Sequence, residues 1–178
     1  MGTEELIAKA KEAGFTEAGH LDASTLVLRQ EVRDMCKANT CGMYDKRWSC
    51  PPGCGELEEL QAKVDKYHSG LIVQTVGQLE DTMDVETMME TERLQKEHLL
   101  KLRDILLESY PNLLTMGSGC CTNCKECTYP DNPCRFPDKI ISSMEAYGLV
   151  VSDVCQSNNM KYYYGNCTIA YTSCFLLE

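Results

Sequence analysis

The sequence has no run of basic residues, no long apolar stretch, a single tryptophan and only three histidines. Each shortage excludes something. A formal net charge of −10 without any basic cluster argues against docking along a nucleic-acid backbone and against a polybasic membrane contact. No segment offers the unbroken apolar length that a bilayer-spanning helix needs. The start, Met1-Gly2-Thr3-Glu4-Glu5, is acidic and lacks the basic segment and apolar run of a secretory leader. Leu6 stands where a myristoylation motif wants Ser or Thr. His20, His68 and His98 are scattered, show no His-x3-His spacing, and are expected on the surface. Nucleophile elbows, nucleotide fingerprints, catalytic carboxylate pairs, internal repeats and low-complexity tracts are all missing.

Cysteine is what the chain has in excess, twelve in 178 residues. In a secreted chain that would indicate a disulfide scaffold. With no leader in view the expectation is a cytoplasmic, reducing setting, where clustered thiols serve metal binding or redox chemistry. The length suits a single domain, expected over residues 1–178, with two cysteine-rich loops at 36–54 and 120–134.

The denser group lies between Gly119 and Pro137. Cys121, Cys124 and Cys127 are separated by two residues each, and Cys134 follows after six more. Prolines and glycines keep the segment out of helix and sheet, and it has no apolar core of its own. Cys-x2-Cys-x2-Cys opens the bacterial ferredoxin pattern, in which three thiolates approach three irons of a cubane. In that pattern the closing cysteine precedes a proline. Cys134 precedes Arg135, whereas Cys50 precedes Pro51, so the fourth ligand is either Cys134 or Cys50. Zinc is the alternative metal, although structural zinc favours separated Cys-x2-Cys pairs. Cys120 is a spare or exchange ligand.

Cys36, Cys41, Cys50 and Cys54 form the other group, enough thiolates for a second site although their spacing matches no simple zinc pattern. The Pro51-Pro52 pair denies two backbone donors and is expected to force an extended path. Trp48 either caps the local core or shields a cluster from water. Cys155, Cys167 and Cys174 are expected on strands as small buried residues, and Tyr162, Tyr163, Tyr164 and Tyr171 as hairpin packing.

The remaining periodicity predicts an α/β (α+β) fold, a sheet of about four to six strands with helices packed on it. Helices are expected from Thr3 to Gly14, after Ser24 or Thr25, across 55–68, from about Val85 to Ser109, and from Asp138 to Gly148. Strands are expected at 15–21, 71–76, 112–116 and 149–155, with a hairpin across 160–177 turning at Gly165-Asn166. The early half of the long helix, around Glu92, Gln95 and Lys96, breaks the apolar stripe and is expected to be exposed.

Two segments, Cys36-x4-Cys41-Gly42-x-Tyr44-x3-Trp48-Ser49-Cys50-Pro51-Pro52 and Cys121-x2-Cys124-x2-Cys127-x6-Cys134-Arg135-x-Pro137 followed by Ser143-Met144-Glu145-Ala146-Tyr147-Gly148, resemble a family of bacterial and archaeal proteins, the domain of unknown function 2284. The resemblance runs from about Cys36 to the end. It implies a metal-binding, iron–sulfur protein and names no reaction.

Taken together, the residues predict a cytoplasmic iron–sulfur protein of low-oxygen metabolism that carries one or two 4Fe-4S clusters. Cys121, Cys124, Cys127 and Cys134 hold one cluster, and Cys36, Cys41, Cys50 and Cys54 a second. Its task is electron transfer to or from a redox partner protein, with no nucleic acid or membrane involved. A zinc-stabilised adaptor module and an iron–sulfur enzyme with an open cluster site are the alternatives.

Overall fold

The computed structural model describes all 178 residues. Five strands form one sheet in the order β1-β2-β5-β3-β4. They are β1 (Glu17–Asp22), β2 (Ser69–Gln78), β3 (Leu114–Gly117), β4 (Ser142–Ser143) and β5 (Thr168–Leu177). The helices are α1 (Thr3–Ala13), α2 (Gln30–Lys37), α3 (Leu57–Val64), α4 (Val85–Leu107) and α5 (Val151–Ser157). All strand pairs are antiparallel except β3 with β4. The architecture is mixed α+β, with a helical layer on each face of the sheet.

β2 and β5 are central, and both of their faces are covered. Alternation sends Leu71 and Val73 of β2, with Phe175 and Leu177 of β5, into one core. There they meet Leu6 and Ala10 of α1 and Leu99, Leu102 and Leu106 of α4. Ile72, Cys174 and Leu176 point the other way, onto Leu60 and Val64 of α3 and Val154 and Cys155 of α5. This second core also takes in Met144, Tyr147 and Leu149, from the segment that follows the long cysteine loop.

Local signals account for several boundaries. Gly14 ends α1 in the left-handed region, φ 118°, which glycine adopts without strain. Asp84 caps α4, accepting from Thr87 N.

Elsewhere tertiary packing overrides local pattern. The helix expected across 138–148 is absent. Pro137–Lys139 make one 3-10 turn, and Ser142–Ser143 then pair with Met116–Gly117 as a strand. The strand expected at 149–155 is instead α5, so Cys155 is helical. No strand forms at 160–164, and Cys167 lies in the turn before β5, leaving Cys174 as the one cysteine of the three on a strand. The helix expected after Ser24 or Thr25 begins only at Gln30, beyond a 3-10 turn capped by Asp22. Gln95 is fully buried and donates to Ser173 Oγ at 2.8 Å, and Thr91 is buried too. The inward face of α4 therefore continues through buried polar residues, Gln95 bonded to β5 and Thr91 to Thr87 O of its own helix, where exposure was expected. His98 is half-buried against Phe15 and bonded to Thr75 Oγ1, while His20 and His68 are exposed.

Candidate metal centre

The two cysteine loops fold against each other. The long one runs from β3 to β4, and the other from the end of α2 to the start of α3. Four hydrogen bonds and an aromatic contact join them. Cys121 N donates to Ser49 Oγ at 3.1 Å, and Arg47 Nη1 donates to Cys121 O at 3.0 Å. Trp48 Nε1 donates to Asn132 O at 3.2 Å, and its ring meets Tyr129 edge-on with centroids 4.9 Å apart. Tyr129 Oη in turn donates to Asp45 Oδ1 at 2.8 Å. Gly53 marks how close the approach is. A Cβ there would lie 2.7 Å from Arg47 O and 2.8 Å from Tyr129 Cε2.

Cys121, Cys124, Cys127 and Cys134 line a single cavity, together with Arg47, Trp48, Ser49 and Ile140. The space between these side chains, including open solvent at its mouth, is about 290 Å³. Cys50 is not on its wall, so the structure brings Cys134 rather than Cys50 into this group. Phe136 N donates to Cys134 Sγ at 3.4 Å. Burial raises the Cys121 thiol pKa, while backbone groups of Asn123 and Ile141 act to lower it. Trp48 is half-buried on the cavity wall and belongs to neither core of the sheet.

Of the other four cysteines, Cys50 adjoins Ser49, its Sγ 3.8 Å from the hydroxyl. Cys36 Sγ lies 4.0 Å from Glu145 O, and Cys54 Sγ lies 3.8 Å from the next carbonyl, Ala146 O. Cys50 sits one turn from Cys54, with Cys54 N bonded to Cys50 O at 3.0 Å. The Pro51-Pro52 segment is therefore a turn and not the extended path expected of it. Burial pushes the Cys50 thiol up to about 11, with the Ser49 hydroxyl opposing and Cys120, Cys54 and Cys41 adding to the rise. Cys41 is exposed, and the other three are half-buried. Cys120 lies beside Cys121 on the wall of a neighbouring cleft, with Lys96, Leu99 and Lys139.

The residues whose contacts the sequence did not show are Arg33, Ser49 and Arg47. Arg33 precedes Cys36 by three positions, hence one turn away on the same face of α2. That spacing was the available signal. Ser49 and Arg47 reach partners more than seventy residues away in sequence, which no local pattern announces.

No three His, Cys, Asp or Glu side chains converge tightly enough to hold one bare ion. The donor set of the cavity is all sulfur, which suits soft metals and iron–sulfur clusters. Four separate thiols around a cavity fit a cluster, because each thiolate binds its own iron and the sulfurs stand further apart than around one tetrahedral ion.

Among known families, the model for predicted metal-binding proteins of domain of unknown function 2284 matches residues 19–177. No protein of curated function matches. Among solved structures, epoxyqueuosine reductase from Bacillus subtilis is similar at 13% identity and a TM-score of 0.45, over 98% of this chain and 45% of that one. The chain thus spans less than half the length of that reductase.

Proposed function

The chain belongs to the family of predicted metal-binding proteins of domain of unknown function 2284, and from that premise we propose that the metal is iron, held as a four-iron cluster by Cys121, Cys124, Cys127 and Cys134. The observation that carries this reading is the shared cavity wall of those four cysteines, in a chain where no three donors close on a single ion. When bound, such a cluster takes up and releases single electrons. The protein's role is then electron transfer to or from a redox partner protein.

The chain's own residues support that role. Trp48 and Ile140 supply an apolar wall that limits water at the cavity. Phe136 N–H points at Cys134 Sγ and stabilises negative charge there. Arg47 brings a positive charge beside the loop without leaving its backbone bond to Cys121 O. The first group, Cys36, Cys41, Cys50 and Cys54, lies across Ser49 and serves as a second redox centre. Cys121 N donates to Ser49 Oγ, which lies 3.8 Å from Cys50 Sγ, so one serine hydroxyl stands between the two groups. No helix is long and apolar enough to cross a membrane, and half-buried free thiols suit a reducing, low-oxygen compartment.

Metal and sulfide analysis of protein purified without oxygen tests the proposal. Brown protein with iron and acid-labile sulfide in equal amounts is expected. Colourless protein, with zinc at about one or two per chain and iron near zero, would sink it.

A further inference from the structure

Arg33 is 7% exposed, in a chain where every arginine that forms an ion pair keeps contact with water. Its guanidinium makes three bonds. Nη1 donates to Ala146 O at 2.6 Å and to Cys54 Sγ at 3.2 Å, and Nη2 donates to Gly55 O at 2.7 Å. No carboxylate comes within ion-pair distance of it. Guanidinium does not shed its proton in proteins, so this positive charge is permanent. A buried charge needs a partner of opposite sign, and two neutral carbonyls do not supply one. The only group in its bonding shell that can carry negative charge is the Cys54 sulfur.

The surroundings of Cys54 indicate what that sulfur does. Cys36 Sγ and Cys54 Sγ approach consecutive carbonyls, Glu145 O and Ala146 O. Arg33 bonds to the second of these, so one short stretch gathers both sulfurs and the guanidinium. Cys50 is tied to Cys54 through the backbone turn between them. A cluster bound by four thiolates carries net negative charge, and a cation donating to one of the sulfurs offsets part of it.

We infer that Arg33 is the resident counter-charge of a metal centre built by Cys36, Cys41, Cys50 and Cys54, and that it holds Cys54 in place as a thiolate ligand. Arg33 is a positioning residue, because it acts on the metal through Cys54. The inference rests on the iron–sulfur reading for the identity of the metal but not for the existence of the centre.

Arg33→Met and Arg33→Lys, reconstituted in the full chain without oxygen, separate charge from packing. Iron per chain, iron loss to a chelator, and the electron paramagnetic resonance spectrum of the reduced protein are measured. Arg33→Met is expected to lose about half of the iron, one centre of two, with the signal of the loop centre retained. Arg33→Lys is expected to hold its iron better than Arg33→Met, because it keeps the charge. Wild-type iron content and chelator resistance in Arg33→Met would overturn the inference and leave Arg33 as a staple between α2 and the 145–148 turn. Should Arg33→Met not fold, Cys54→Ala and the Cys54→Ala/Arg33→Met pair decide. With Cys54 gone the guanidinium is buried unpaired, so the double variant is expected to melt no lower than Cys54→Ala. A further fall in the double variant would overturn the inference. Wild-type protein that holds zinc and no iron would fail the iron–sulfur reading alone, and the same variants are then read by zinc per chain.

Discussion

Ser49 shows how much one small side chain contributes at the junction of the two loops. It is 1% exposed, its hydroxyl accepts from Cys121 N, and it lies 3.8 Å from Cys50 Sγ. Ser49→Ala leaves the Cys121 amide without its partner in a half-buried position, at a cost of about 1–3 kcal/mol. Denaturant unfolding of the metal-loaded protein measures it, and an unchanged midpoint would show that water replaces the hydroxyl. At this scale the cysteines themselves were legible, because spacing alone grouped Cys121, Cys124 and Cys127. Trp48 was not. A lone tryptophan in a stiff loop fits a core cap as well as a shield, and only its contacts with Asn132 and Tyr129 separate the two.

Among the elements, α4 carries the clearest test. Its cap, Asp84, accepts from Glu80 N and Thr87 N, each at 3.0 Å. The bond from Glu80 N, then those from Thr87, hold this carboxyl below its usual pKa. A folded value below the unfolded one means the cap's stabilisation is complete above the ordinary aspartate pKa, about 3.9, and is lost as pH falls through the folded value. Asn caps as well but does not titrate there. The melting temperature of Asp84→Asn is therefore expected to fall less steeply than that of wild type on acidification below about pH 4, and parallel curves would reject the assignment. The sequence showed the start of this helix near Val85 and the apolar stripe of its later half. It misjudged Gln95, since a glutamine reads as solvent-facing until Ser173 is placed opposite it. It also misjudged 138–148, where Met144 N bonds to Gly117 O at the sheet edge and a helix would forfeit that pairing.

At the scale of the molecule, stability is divided between two unlike parts. The sheet is closed on both faces by apolar side chains, whereas the loops at 36–54 and 119–137 contribute few of them. A metal centre bound by the loops would supply their folding energy, while the sheet stands without it. Removing the metal is expected to leave most of the far-ultraviolet circular dichroism unchanged. Amide exchange should rise throughout both loops, by tenfold or more, with β2, β5 and α4 still protected. Loss of protection in the strands as well would show that the metal organises the whole fold.

What the sequence determined by itself was local and repetitive. Helical and alternating periodicities placed β1, β2, β3, α1, α3 and α4, because burial of one face imposes its period on consecutive residues. Cysteine excess and the family's motif likewise marked a metal-binding chain. The tertiary structure alone decided which cysteines meet. Cys134 faces the cavity and Cys50 does not, and Arg33 ends against Cys54. Those placements depend on contacts between segments from about twenty to more than a hundred residues apart, made where the two loops and the 145–148 turn pack together. Spacing along the chain sets how far a thiol can reach, and packing across the chain sets what it meets.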